Sequence, residues 1–96
     1  MMVKKYLTPI SKEQCRAARG WLGITQDELA EATGVTQKTI ARFETGVVVP
    51  QDRTLRDIQL GLEEMGVEFL FDGAKGVGIR LRKTDEIQTA KTQKKK

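Results

Sequence analysis

Two short helical segments on either side of Gly34 constrain what this chain can fold into more than any other feature. The first is predicted to open at Thr25, because Glu28 follows in the spacing of a capping box. Gly34 suits the left-handed backbone conformation in which many helices end. The second segment is predicted to run from its cap, Thr36, to Glu44. Two short helices joined in this way have the geometry of a helix-turn-helix.

The same signals predict one helix before this pair and one after it. Ser11 and Gln14 have the spacing of another capping box, so a helix is expected from Ser11 to Leu22. A fourth helix is expected from Asp52 to Met65. Apolar residues recur on one face of each helix, which predicts that these faces form the core. The predicted core residues are Cys15, Ala18, Leu22, Leu29, Ala30, Ile40, Phe43, Leu55, Ile58, Leu62 and Met65.

The pattern changes from helical to alternating after Gly66. Residues 67–71 are predicted to form a strand, residues 72–76 a turn and residues 77–83 a return strand with one apolar and one basic face. The apolar face carries Val77, Ile79 and Leu81, and the basic face carries Arg80, Arg82 and Lys83. The chain is therefore predicted to be mainly α. It would have a domain of four or five helices over residues 1–66, a β-hairpin over 67–83 and a basic, disordered tail over 84–96.

Charge is distributed unevenly around a net value of +4. Residues 1–24 carry five basic and one acidic side chain, residues 25–72 carry four and ten, and residues 73–96 carry eight and two. The basic ends predict an attraction to phosphate that does not depend on base sequence, so base reading in the acidic middle must come from a few side chains. The lysines at 94–96 fit a solvated tail equally well.

The residue types argue against several other classes of function. There is no histidine, the only serine is predicted to cap a helix, and Cys15 has no base beside it, so we do not expect an enzyme. No cluster of residues suggests a metal or another cofactor. No apolar run has the length needed to cross a bilayer, and the first residues lack the apolar stretch of a signal peptide. We therefore expect a cytoplasmic protein without a membrane partner.

The third helix divides into two faces when residues are placed at 100° intervals. Ile40 and Phe43 point the same way, and Glu44 lies close to Ile40. The opposite face carries Gln37, Lys38, Ala41 and Arg42. Glutamine can pair with adenine, lysine or arginine with guanine, and a small alanine can touch a thymine methyl group. An ordinary amphipathic helix with its polar face in water has the same angles, so the angles alone leave both interpretations open.

The segment from Leu22 to Gly46, LGITQDELAEATGVTQKTIARFETG, resembles the lambda-repressor-like, Cro-type helix-turn-helix family, also called the xenobiotic-response-element family. The matching positions are Gly23, Thr25, Gln26, Leu29, Ala30, Gly34, Val35, Thr36, Ile40, Ala41, Glu44 and Gly46. The resemblance covers the four predicted helices and not the hairpin or the tail. It implies a lambda-repressor-like domain whose partner is double-stranded DNA in the nucleoid.

The resemblance also implies a role for each matched residue. Gln26 corresponds to a glutamine that contacts phosphate and supports the first base reader. Gln37, Lys38 and Arg42 correspond to variable base-contacting positions, while Thr36 caps the recognition helix and could touch the DNA backbone. The implied DNA-binding residues are Gln26, Thr36, Gln37, Lys38, Thr39, Ala41 and Arg42. Arg19 and Glu44 match a pair that joins the first helix to the end of the third.

The loop after Gly46 departs from the family pattern. Many relatives carry lysine or arginine there, whereas this chain has Val47, Val48 and Val49, which removes a phosphate contact. We expect Val49 to fold back under the fourth helix. Val47 and Val48, together with Leu60 on the outer side of that helix, could form a subunit contact.

The hairpin is a second candidate for dimerisation, because a lone two-stranded ribbon is only marginally stable and its edges can pair with a second copy. The predicted function is therefore a regulator, and specifically a repressor, that binds a palindromic operator as a homodimer. The alternative is an antitoxin that binds a toxin through residues 67–96 and represses its own operon.

Overall fold

The computed structural model describes residues 9–81 of the chain. Within that range four helices precede one antiparallel hairpin, which confirms the predicted mainly α fold. The elements are α1 (Lys12–Leu22), α2 (Gln26–Thr33), α3 (Gln37–Glu44), α4 (Asp52–Glu64), β1 (Val67–Asp72) and β2 (Lys75–Leu81). The predicted tail and the basic residues Arg82 and Lys83 lie outside the described residues. None of these helices is long and apolar enough to span a membrane.

The predicted helix caps are confirmed. The Ser11 hydroxyl accepts the Gln14 N–H at 3.0 Å while the Gln14 side chain accepts the Ser11 N–H at 2.9 Å. Thr25 and Glu28 form the same reciprocal pair at the start of α2. Gly34 ends α2 with φ of 80°. These bonds join residues three positions apart, so the helix boundaries follow from local sequence.

One buried cluster joins all four helices to the hairpin. Leu29, Ile40, Ile58 and Leu62 are completely buried, and so is Val67 at the start of β1. Because these side chains come from α2, α3, α4 and β1, the core fixes the position of α3 relative to the rest of the molecule.

The hairpin turn is shorter than predicted. β1 continues to Asp72 and β2 starts at Lys75, so only residues 73 and 74 form the turn, and Gly73 takes the positive φ of 68° that such a tight turn needs. The ladder then has an irregularity, because Leu70 pairs with Gly78 and Phe71 pairs with Gly76. Val77 is the extra residue, and it is exposed rather than part of a continuous apolar face.

Val49 does not fold under α4 as predicted, since 77% of its surface is exposed. The space beneath α4 is filled by side chains of the helix itself, among them Leu55 and Ile58, packed in the same cluster as Phe43. Val47 and Val48 are also exposed, and both donate their backbone N–H groups to the carbonyl oxygen of Arg42.

Gln14 ties α1 to both strands of the hairpin. Its side-chain amide donates to the carbonyl oxygen of Leu70 at 2.9 Å and to that of Gly78 at 3.0 Å. The side chain is buried beside Gly76, where an added Cβ would lie 1.9 Å from the Gln14 amide oxygen. Position 76 therefore requires glycine because Gln14 lies too close for a side chain, and not because the backbone angle is unusual.

Gly76→Ala is expected to lower the free energy of unfolding by about 2 kcal/mol, because a methyl group there displaces Gln14 from its cap and from both strand carbonyls. Gly20→Ala is the matched control. Gly20 lies inside α1 with no atom within 4 Å of an added Cβ, so alanine there should raise stability by about 1 kcal/mol. Urea unfolding measures the change in the free energy of unfolding for both variants. Equal changes would show that the contacts of Gln14 do not require a glycine at position 76.

Candidate nucleic-acid interface

The third helix presents a polar outer face and a buried inner face. Ile40 and Phe43 are buried, as predicted, and Glu44 beside them is only 2% exposed. On the other side Gln37, Lys38 and Arg42 are exposed, whereas Thr39 and Ala41 are half-buried. Thr36 is exposed, and its hydroxyl accepts the Thr39 N–H at 3.1 Å. The structure therefore brings the predicted α3 residues onto one accessible surface.

Glu44 is the centre of a buried polar cluster. Arg19 donates to its carboxylate twice, from Nε and from Nη2, both at 2.8 Å. Cys15 donates to the same carboxylate at 3.2 Å, and the Gln26 amide donates at 3.0 Å. The implied pair of Arg19 and Glu44 is thus present, and four side chains from three helices meet there.

The ionisation states in this cluster follow from these contacts. Burial raises the pKa of Glu44, but hydrogen bonds from Arg19, Gln26 and Cys15 outweigh it, so the pKa lies below its ordinary value of 4.5. Burial, and then the hydrogen bond to Glu44, raise the pKa of the Cys15 thiol, which therefore stays protonated as a donor. The hydrogen bond to Glu44 raises the pKa of Arg19, so the ion pair is fully charged at neutral pH.

Gln26 connects this cluster to the outer face of α3. Its amide nitrogen donates to Glu44, and its amide oxygen accepts from the Gln37 side chain at 2.8 Å. Arg19, Glu44, Gln26 and Gln37 therefore form one continuous series of hydrogen bonds from the core to the surface. Because both ends of the Gln26 amide are used, its orientation and that of Gln37 are fixed.

An open cleft of about 430 Å³ lies beside this series. It is bordered by the turn between α1 and α2, by the first residues of α2 and by Gln37. Its lining includes Arg19, whose charge is paired with Glu44, and the acidic side chain of Asp27.

Three contacts of the site were not anticipated from the sequence. Arg16 donates to the backbone carbonyl of Glu44 and so satisfies the C-terminal end of α3. Cys15 is predicted only as a core residue, yet it donates to Glu44, and the sequence does not indicate the bond from Gln26 to Glu44. The available signal was spacing, because Cys15 and Arg19 lie four residues apart and share one face of α1.

The Helix-turn-helix family model matches residues 16–63, which is half of the chain and reaches from α1 into α4. The chain belongs to the lambda-repressor-like helix-turn-helix family. The family is a DNA-binding regulatory one and not a catalytic one, so this protein is a DNA-binding transcription regulator. Comparison with curated proteins found no match.

In this helix-turn-helix protein, α2 and α3 form the motif and α3 is its recognition helix. Within residues 9–81 there is no group of three or more His, Cys, Asp or Glu side chains that could hold a metal ion. On the hairpin, Arg80 is paired with Glu68 at 2.9 Å, so this part of the predicted basic face is locally neutralised.

Proposed function

We propose that this helix-turn-helix protein is a cytoplasmic, nucleoid-associated repressor that binds a palindromic operator as a homodimer. The observation that carries the proposal is the recognition helix, whose buried inner face holds Gln37, Lys38 and Arg42 outward in one exposed row. A homodimer would place two copies of α3 in successive major grooves, with half-sites about 34 Å apart.

The proposed contacts divide into readers of bases and contacts with phosphate. Lys38 and Arg42 would read guanine, Gln37 would read adenine, and Ala41 would touch a thymine methyl group. Thr36 and Thr39 would contact the DNA backbone beside α3. Gln26 would contact a phosphate in the cleft at the start of α2 while it holds Gln37 in place.

Selection of bound sequences from random double-stranded DNA tests this proposal. The expected result is a palindrome whose half-sites lie about one helical turn apart, with affinity that falls as salt concentration rises. A selected set without any shared sequence would contradict sequence-specific binding. A shared but single, asymmetric site would contradict the palindrome and the homodimer. Repression is tested separately, with a reporter gene placed behind the selected sequence.

Gln26→Ala is expected to weaken binding to all DNA sequences by about tenfold, because a phosphate contact is lost. It should also reduce preference at the one base pair read by Gln37, since that side chain loses its acceptor. Gln51→Ala is the matched control, because Gln51 is an exposed glutamine whose side chain makes no cap bond at α4. Fluorescence anisotropy with the selected site and a scrambled site measures both effects, and unchanged affinity for both would remove Gln26 from the interface.

Exposed apolar side chains on the hairpin, outside the recognition helix, favour the antitoxin alternative. Val77 is 56% exposed and Leu81 is 45% exposed, and both lie on β2. A toxin bound there would leave α3 free for autoregulation. Purification from the native cell under mild conditions tests this function, because a stoichiometric second protein is expected for an antitoxin and a homodimer is expected for a simple repressor.

A further inference from the structure

Gly61 lies in the interior of α4, directly beside the last residue of α2. A Cβ atom added at position 61 would lie 2.5 Å from the Cγ2 methyl group of Thr33. Carbon atoms in contact lie no closer than roughly 3.5 Å, so alanine does not fit there without a displacement. Glycine inside a helix is less favourable than alanine, and at position 61 the close approach of Thr33 accounts for it.

The hydroxyl group of Thr33 makes two hydrogen bonds that fix the direction of its methyl group. The hydroxyl donates to the carbonyl oxygen of Leu29, one turn back in α2, at 2.8 Å. It also accepts the backbone N–H of Val35, two residues further along the chain, at 3.2 Å. The methyl and the hydroxyl share one Cβ atom, so a rotation that moves the methyl away from Gly61 breaks both hydrogen bonds.

Val35 belongs to the turn between α2 and α3, which comprises residues 34–36. Its side chain packs against the core, and the next residue, Thr36, caps α3 through its hydroxyl. The position of Val35 therefore sets where α3 begins relative to the end of α2. The hydrogen bond of 2.8 Å from Gln37 to Gln26 joins the starts of the same two helices, so it depends on the same geometry.

We propose that Gly61 and Thr33 are positioning residues for DNA recognition. Through their contact α4 packs against the end of α2 and sets the orientation of the recognition helix. The inference rests on the proposed sequence-specific binding and adds two residues that act on it through α3. Readers that are displaced lose their directional contacts with base edges, whereas the general attraction to phosphate is retained.

Gly61→Ala tests this contact. Because the added methyl group displaces Thr33, affinity for the selected site should fall relative to a scrambled site by about tenfold, the equivalent of one lost base contact. The double variant G61A/T33S removes the Thr33 methyl group and keeps the hydroxyl, so the ratio should return to within about twofold of the wild-type value.

Fluorescence anisotropy measures the affinity for each site, and circular dichroism at the same temperature measures the folded fraction. A loss of stability alone lowers both affinities by the same factor and leaves their ratio unchanged, because only the folded fraction differs. The ratio of the two affinities therefore separates a positioning role from a merely structural one.

Thr33→Val provides a second test in which the packing against α4 is kept. Valine retains a methyl group beside Gly61 but has no hydroxyl to accept the Val35 N–H, so we expect the ratio to fall by about fivefold. Gly20→Ala is the matched control. Gly20 is also inside a helix, but an added Cβ there has no atom within 4 Å, so the ratio should not change.

An unchanged ratio in Gly61→Ala, or in Thr33→Val if Gly61→Ala does not fold, would overturn the positioning role. A loss that G61A/T33S does not reverse, or that Gly20→Ala reproduces, would overturn the contact with Thr33 as its cause. A wild-type chain that binds DNA without any sequence preference would overturn the proposed function itself, and the positioning role with it.

Discussion

Replacing Arg19 with methionine is expected to lower the free energy of unfolding by about 3 kcal/mol. Methionine keeps most of the length of the side chain but removes both hydrogen bonds to the carboxylate of Glu44. That carboxylate is only 2% exposed, and its remaining donors, Cys15 and Gln26, carry no charge. A charge left in this position without a charged partner opposes folding. Urea unfolding at pH 7 measures the loss.

Arg80→Met is the matched control for this prediction. Arg80 also contacts a carboxylate through two nitrogens, since it donates to Glu68 at 2.9 and 3.2 Å. Its side chain is 62% exposed, so water screens the pair. We expect its loss to be within the error of the measurement. Similar losses for the two variants would show that burial of Glu44 is not the source of the Arg19 effect.

The Arg19 effect should also depend on pH in a defined direction. In the wild-type protein the pKa of Glu44 is lowered from 4.5, so the stability contributed by its ionised form is present above that pH and is lost as the pH falls below it. In Arg19→Met, burial of Glu44 is no longer outweighed by an ion pair, and protonation relieves the penalty. The difference in stability between the two proteins should therefore shrink as pH is lowered from 7 towards 4. A difference that stays constant would contradict this account.

Arg42→Ala and Lys38→Ala are expected to abolish most of the preference for one base pair each while leaving salt-sensitive binding to DNA in general. A side chain that reads guanine contributes about 1 to 3 kcal/mol of discrimination, so the preference should fall by about 5- to 150-fold at that position. Both side chains are exposed on the recognition helix, and their loss leaves the buried face unchanged. Competition binding between the selected site and its single-base variants measures the preference.

Lys75→Ala is the control for these two variants. Lys75 is an exposed lysine at the start of β2, away from α3, so its removal changes the net charge by the same amount. We expect a small loss of affinity that is equal for all sequences, because only general attraction to phosphate is affected. If Arg42→Ala and Lys38→Ala keep the full base preference, their assignment as readers is wrong.

Local sequence predicted the helices well because their boundaries depend on bonds between near neighbours. Ser11 and Thr25 cap α1 and α2 through residues three positions away, and Gly34 ends α2 through its own backbone freedom. The hairpin turn was predicted less well, because its length does not depend on near neighbours alone. The length of the turn depends on how far the hydrogen-bonded ladder between β1 and β2 continues. The sequence pattern does not specify which residues pair across the two strands.

By itself, the sequence determined which residues of α3 face outward, because Ile40 and Phe43 fix the inner side of a helix with 3.6 residues per turn. It also indicated, through its family pattern, that this helix reads DNA. Only the tertiary structure decided how the helix is held. The family pattern implied the pair of Arg19 and Glu44, but it did not show the contacts that Cys15, 29 residues from Glu44, and Gln26, 18 residues from it, make with the same carboxylate. These contacts exist only because α1, α2 and α3 pack around one core. Directional hydrogen bonds between distant residues require fixed positions for both partners, and those positions are a property of the packed molecule.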